Sequence, residues 1–496
     1  MRALRAEIRH WRRGRASVRL ADALQDAYIA VFATVMLGGM FVNAVIQAGA
    51  VTDELCVSAT CQDTRGLVPW LVGGSSLLAV VAVARLFGPV YVTPADGSWL
   101  LTSPLDRRAL LGPRLLRIML VAALASAAAA AVGVLLVGTD LASGLGFTVT
   151  TCLLSLATAG ACAYAQERER RTLAPTAQWV LLAALWGGAA SVALDVAPSM
   201  PVPAAGDPLT VVAGVVAALL AGVAAVAAWR HLGHLRHRDV ATGGELSPGL
   251  SGAFATLDLA LAYDVVLAHR WKGRGAVTPR RGGPGGPLAL VQVDLRRLRR
   301  TPQRLVVLVA AVVVPYAAAA AGAGRFVVLV AAATGFVAGL PLLSGLRVMA
   351  RGPSLARAMP FSSAAAQSAA AAVPTVAALA FGIATAGAIA SGLTTASGLT
   401  TAGWPAWVCG LAVGASAAAS GVRWMTRRPP DYSKPLIATP AGAVPTNLYG
   451  SVIAGFDVLL LTTLPILLVP DLRGAAVSLA LSAGVWGYLV SRSPAR

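Results

Sequence analysis

Runs of about twenty apolar residues recur along almost the whole chain, and no other feature constrains its fold as strongly. A helix of that length crosses a hydrocarbon core roughly 30 Å thick with its backbone N–H and C=O groups bonded internally, which open strands and coil in lipid cannot achieve. Twelve spans are expected: 24–48, 67–89, 115–137, 142–164, 175–197 and 208–229, then 304–322, 325–347, 366–391, 404–424, 448–469 and 473–491. Charged residues are only 12% of the 496, about half the share usual in soluble domains, which excludes an ordinary globular enzyme. The expected fold class is all-α, a polytopic transmembrane helical bundle.

The net charge of +19 would suit nucleic acid if it were clustered on a soluble surface. In a membrane protein, basic residues instead set orientation by staying on the cytoplasmic side. Alternating the twelve spans from a cytoplasmic start leaves only Arg65, Arg325 and Arg473, of 40 Lys and Arg, in external loops. One missed span would place clusters such as Arg427 and Arg428 outside. Both termini are therefore expected in the cytoplasm, and no nucleic-acid partner is expected. Arg outnumbers Lys 38 to 2, and Ala and Gly abound, as in GC-rich bacterial genomes, so the membrane expected is the bacterial cytoplasmic (inner) membrane. Met1 to Leu20 is strongly basic, and the apolar run after it is too long for the core of a cleavable signal peptide.

The external loops are short and hold Asp53, Glu54, Asp63, Asp140, Asp195, Asp207 and Asp471. The longest, Gly49 to Gly66, contains Cys56 and Cys61, and in an oxidising compartment a local disulfide between them is expected. Cys152, Cys162 and Cys409 fall inside apolar runs and read as small buried thiols.

Five segments follow from this reading: a basic amphipathic stretch at 1–23, a first six-span unit at 24–229, a cytoplasmic linker rich in Gly, Pro and Arg at 230–303, a second six-span unit at 304–491, and a tail at 492–496. Within the linker, Phe254 to Trp271 is apolar at helical spacing but interrupted by Asp258 and Asp264. It suits an interfacial helix better than a further span, because a central Asp costs about 2.5–3.5 kcal/mol on insertion. The units look duplicated. EIRHWRR at Glu7–Arg13 is matched by DLRRLRR at Asp294–Arg300, and in each unit a Pro-centred element lies between the second and third spans, LTSPLDRRALL at Leu101–Leu111 and AMPFSSAAA at Ala358–Ala366.

No G-x-x-x-x-G-K-[ST] phosphate loop, G-x-S-x-G elbow or H-E-x-x-H pair occurs. His231, His234 and His237 fall on one stripe of a helix continuing from the sixth span, but Arg230, Arg236 and Arg238 between them fit a basic helix end at anionic headgroups better than a metal site. No metal is assigned. Asp457 falls inside the eleventh expected span. It is either a proton or cavity-lining site, or an acid kept protonated or bonded to a neighbouring helix, with Asn447 at the cytoplasmic end.

The loop TPADGSWLLTSPLDRRALLGPRLL runs from Thr93 to Leu116. Ser103 is placed to begin a helix with Pro104 at its first position and Asp106 in its first turn. A short cytoplasmic helix results, apolar on Leu105, Leu110 and Leu111 and charged on Asp106, Arg107 and Arg108. It could dock into a partner's groove or lie on the membrane surface.

This stretch resembles the loop between the second and third spans of ABC-2-type exporter permeases, with its Gly, leucine-rich turn, Ser/Thr-Pro and basic helix entering the next span. The whole chain is similar to a fused pair of such units, as in actinobacterial membrane proteins regarded as ABC-transporter-related. The resemblance implies an ATPase-coupling role for Gly97, Leu100, Leu101, Ser103, Pro104, Asp106, Arg107 and Arg108, and an interfacial role for Ala6 to Leu20. It also implies a second coupling loop at Pro360, Phe361, Ser362 and Ser363. Two departures stand out: Asp96 lacks the Arg that usually precedes the family's acidic residue, and the second loop lacks the basic pair.

The function implied is that of an exporter permease subunit, with an ABC ATPase in trans, ATP-Mg in that partner, no cofactor in this chain, and membrane lipids around it. The cargo is unknown. A major-facilitator-type transporter is the first alternative: Asp106-Arg107 fits its G-x-x-x-D-R-x-G-R-R motif superficially, but Thr102 stands where the first Gly should be. A membrane enzyme acting on a lipid-linked substrate and a scaffold without transport are the others.

Overall fold

In the computed structural model the described residues are 59–92, 94–99, 106–167, 173–194, 202–235, 283–397, 403–427, 436–439, 442–445 and 453–491, with single positions and short runs between 28 and 56, at 101, 196 and 198–200, and between 240 and 269. The 1–23 segment, the 492–496 tail, most of 24–37 and of Phe254–Trp271, and Asn447 lie outside them.

The chain is an all-α polytopic bundle. Ten helical segments among the described residues are long and apolar enough to cross a membrane, and they coincide with ten of the twelve expected spans. The first expected span is described only in part, with residues 38–47 helical. The eleventh is shorter than expected. Its helix covers Phe456–Leu468, 13 residues, about 20 Å long, and two short antiparallel strands, β1 (Leu436–Thr439) and β2 (Gly442–Pro445), lie before it.

The first unit is built from α1 (Ala59–Phe87), α2 (Pro94–Trp99), α3 (Arg107–Val137), α4 (Leu141–Glu167), α5 (Leu173–Ala193) and α6 (Pro208–His231). Small residues let these helices approach closely, the usual source of packing where lipid is as apolar as Leu. At Gly160 of α4 an added Cβ would lie 3.0 Å from Ala224 of α6, and at Gly133 of α3 it would lie 3.1 Å from Pro69 of α1. Ser126 donates to Ser155 at 3.0 Å across the buried face between α3 and α4.

One loop expectation needs correction. Arg65 does not lie in an external loop, because α1 starts at Ala59 and carries it inside the helix, only 8% exposed. Its guanidinium donates to the carbonyls of Gly49, Leu136 and Val137, each at 3.3 Å. Leu136 and Val137 close α3, whose last carbonyls have no helical partner, so the cation sits where the helix dipole is negative. The acids of that face have the converse role: Asp140, Asp207 and Asp471 accept from Ser143, Leu209 and Gly474 N–H groups at 3.0 Å, capping helix starts. Those bonds hold the Asp140 carboxyl below its ordinary range.

The second unit contains α7 (Leu288–Arg300), α8 (Gln303–Ala311), α9 (Val313–Ala320), α10 (Val327–Gly339), α11 (Ser344–Arg351), α12 (Pro353–Ala358), α13 (Ser363–Ala384), α14 (Ala386–Ser397), α15 (Trp404–Thr426), α16 (Phe456–Leu468) and α17 (Leu472–Ser491). α15 is enclosed by α10, α13, α14, α16 and α17. Its Gly, Ala and Ser residues suit burial on all sides, and against α13 its backbone comes so near that a Cβ on Gly382 would stand 2.7 Å from the Gly414 nitrogen. The expected single span at 366–391 is instead two helices, since Thr385, the C-cap of α13, separates it from α14.

The units meet where α9 packs on α5 and α1, and the Trp186 indole of α5 donates to the Ala310 carbonyl of α8 at 3.1 Å. The Cys56–Cys61 disulfide is present, and Cys61 lies against the turn at Gly322 of the second unit, whose φ is 78°.

Candidate functional site

The loop between the second and third spans of the first unit is shaped by caps at both ends. Gly88, φ 74°, ends α1, and the bend after it is clamped by Gln166 of α4, whose amide donates to the Val90 carbonyl and accepts its N–H, both at 3.2 Å. Val92 N–H then donates to the Val240 carbonyl at 3.2 Å. Val90 and Val92 are fully buried. Helix α2 follows, with Gly97 buried and Trp99 79% exposed. Leu101 is buried among Leu111, Leu115, Leu232 and Val240.

The expected helix start is displaced. Asp106 is the N-cap of α3 and not a first-turn residue; its side chain accepts from Arg108 N–H at 3.0 Å. Leu100, Ser103 and Pro104 lie outside the described residues. No separate short helix carries Arg107, Arg108, Leu110 and Leu111. These residues open a 31-residue helix that continues into the membrane, because Leu111 and Leu115, 0% and 2% exposed, bury its first turns against the end of α6. Gly112 leaves room there for the Trp229 ring. The basic pair divides: Arg107 turns in and donates to the Leu235 carbonyl at 3.2 Å, while Arg108 and Asp106 are exposed.

The second unit repeats the plan. α11 ends at Arg351, the six-residue α12 follows, and α13 starts behind the N-cap Ser362, whose hydroxyl accepts from Ala365 N–H at 3.2 Å. Pro360 stands two residues before this cap as Pro104 stands two before Asp106. Both six-residue helices begin with Pro, and both long helices contain a Pro, Pro113 and Pro374. Pro360 and Ser362 are exposed, Phe361 is half-buried, and Ser363 opens the helix.

The other expected site residues lie elsewhere. Asp457 is not in the middle of a helix: it is in the first turn of α16, half-exposed, accepting from Gly455 and Val458 N–H groups at 2.6 and 2.8 Å and pairing with Arg423 of α15 at 3.4 Å. Its carboxylate caps a helix and closes an ion pair at the helix ends. The histidine stripe is also broken, since α6 tightens into a 3-10 turn at Leu232–His234 and the chain is extended at Leu235; His237 lies outside the described residues. Among the described residues no group of three or more His, Cys, Asp and Glu is arranged to hold a metal ion.

Sequence reasoning missed two features. Trp99 was hidden by its apolar neighbours, although an aromatic at the end of a six-residue helix opened by Pro94 and containing Gly97 has little core to enter. The other is Asp294, buried on the amphipathic helix α7, with Arg297 at 3.0 Å. Arg304 bridges from α8 to the Ser344 hydroxyl and the Pro341 carbonyl, both at 2.9 Å. Burial pushes the Asp294 carboxyl above its ordinary value, against the pull of Arg297 and Arg304.

Comparison with curated proteins and with solved structures gives no match. The stretch from residue 61 to residue 435, three quarters of the chain and including both loops and the linker, matches the model of the family described as Family of unknown function (DUF6297), and the chain belongs to that family.

Proposed function

We propose that the chain is the permease subunit of an ABC-type exporter, driven by a separate ATPase that docks on the α2–α3 and α12–α13 loops. The observation that carries this reading is the repetition of one loop plan in both units: a six-residue helix opened by Pro, a Pro two residues ahead of a side-chain N-cap, and a long apolar helix. The likeness of Gly97–Arg108 to the coupling loop of ABC-2-type permeases supports it. Both loops face the arginine-rich side, with both termini in the cytoplasm of a bacterial cell and the bundle in its inner membrane.

In this reading the partner binds ATP-Mg, and its closure pushes on Trp99, Asp106 and Arg108. The push is carried along α3, 31 residues without a break, or about 46 Å. α13 ends at Thr385 after 22 residues, and its loop lacks the basic pair, so the first loop couples more strongly than the second.

Affinity purification of the full chain in mild detergent tests this. A phosphate-loop ATPase should be recovered with it, and Trp99→Ala combined with Arg108→Glu should cut that recovery about tenfold or more, as loss of an exposed aromatic anchor would. Absence of any such subunit, together with transport that collapses under an uncoupler and ignores ATP depletion, would replace this reading with the secondary-transporter one.

A further inference from the structure

We propose that the groove between α4 and α6 is a binding site for one anionic phospholipid of the leaflet facing the arginine-rich side. The groove has a volume of about 570 Å³. On α6 it is lined by Leu219, Gly222, Val223 and Val226, and at its mouth stand Tyr164, Arg230 and His231. Its depth is set by Gly222, where an added Cβ would meet nothing within 4 Å, while Gly160 of α4 holds the two helices together against Ala224.

Depth along the membrane fits the ligand. Asp207 caps the start of α6 and His231 ends it, 24 residues later, so the helix is about 36 Å long and its two ends reach opposite interfaces. From Leu219 to Arg230 is about 16 Å of helix, close to the thickness of one hydrocarbon leaflet. Leu219, Val223 and Val226 are 64%, 68% and 51% exposed, facing the acyl region, while Arg230 lies where headgroup phosphates lie. The Tyr164 ring meets the His231 ring edge-on at 5.1 Å and fixes the imidazole at the mouth.

Charge complementarity selects an anionic headgroup: the mouth offers a guanidinium and an imidazole, and among the described residues no acid lines it. A zwitterionic lipid would bring its own cation to the same place.

The test uses the full chain in nanodiscs of equimolar phosphatidylglycerol and phosphatidylcholine, with retained lipids counted by native mass spectrometry. The wild type should keep phosphatidylglycerol over phosphatidylcholine by about fivefold, the preference one interfacial cation confers. Arg230→Gln with His231→Gln should abolish that preference, whereas Arg230→Lys should keep it. Gly222→Leu, which fills the groove and leaves the mouth, should lower retention of both lipids. An unchanged lipid ratio in the Gln variant, or full retention in Gly222→Leu, would overturn the site; if the Gln variant fails to fold, Gly222→Leu decides alone.

Discussion

Asp106 shows how much a single side chain fixes at the first loop. Its carboxylate ends the irregular segment and starts α3, and N-cap removal costs about 1 kcal/mol. Asp106→Ala should therefore lower the thermal stability of the detergent-solubilised chain by that amount, and Asp106→Ser should restore it. Residue type made a helix start legible here, but Ser103-Pro104 offered an equally good signal three residues earlier. What decided between them was the burial of Leu111 and Leu115 against α6, a tertiary contact that no local pattern carries. Asp294 was legible as part of a basic amphipathic repeat, but not as a buried acid. Its raised pKa means that the native state holds the proton between the unfolded and folded values, so its contribution to stability falls as pH rises through that window and stays a cost above it. Asp294→Asn should flatten the corresponding limb of melting temperature against pH, upward from about 3.9.

At the level of elements, apolar runs located ten spans because length and hydropathy alone decide which segments enter lipid. Interruptions were harder to see. The stretch 366–391 is uniformly apolar, and its break at Thr385 comes from packing: beside it Gly382 meets Gly410 and Gly414 backbone to backbone. An added methyl at Gly382 would stand 2.7 Å from the Gly414 nitrogen, and overpacking of this kind costs about 1–3 kcal/mol. Gly382→Ala should lower the unfolding temperature by a matching amount, whereas Gly339→Ala, with nothing within 4 Å of the added atom, should leave it nearly unchanged. Asp457 follows the same logic: hydropathy averaged across 448–469 hid a helix that begins only at Phe456, with the acid as its N-terminal anchor.

The whole molecule is two units sharing a seam of α9 against α5 and α1. Charge asymmetry predicts an orientation with both ends inside, and reporter fusions at Met1 and Arg496 should both read cytoplasmic; opposite readings would remove the common inner face that the proposed docking requires. The duplicated plan of α2–α3 and α12–α13 was legible as a weak pairing of Pro-centred stretches. The unequal lengths of the two rods were not, because they depend on where each helix packs.

Joining both copies in one reading frame has an evolutionary consequence. Two identical subunits must carry the same loop twice, so any substitution that suits one copy is imposed on the other. In a tandem chain each copy drifts under its own selection, and Arg107-Arg108 can persist in one while the equivalent place in the other settles on Ser363-Ala364. The lopsidedness is thus inherited as a unit, at a fixed one-to-one ratio, whenever the gene is translated.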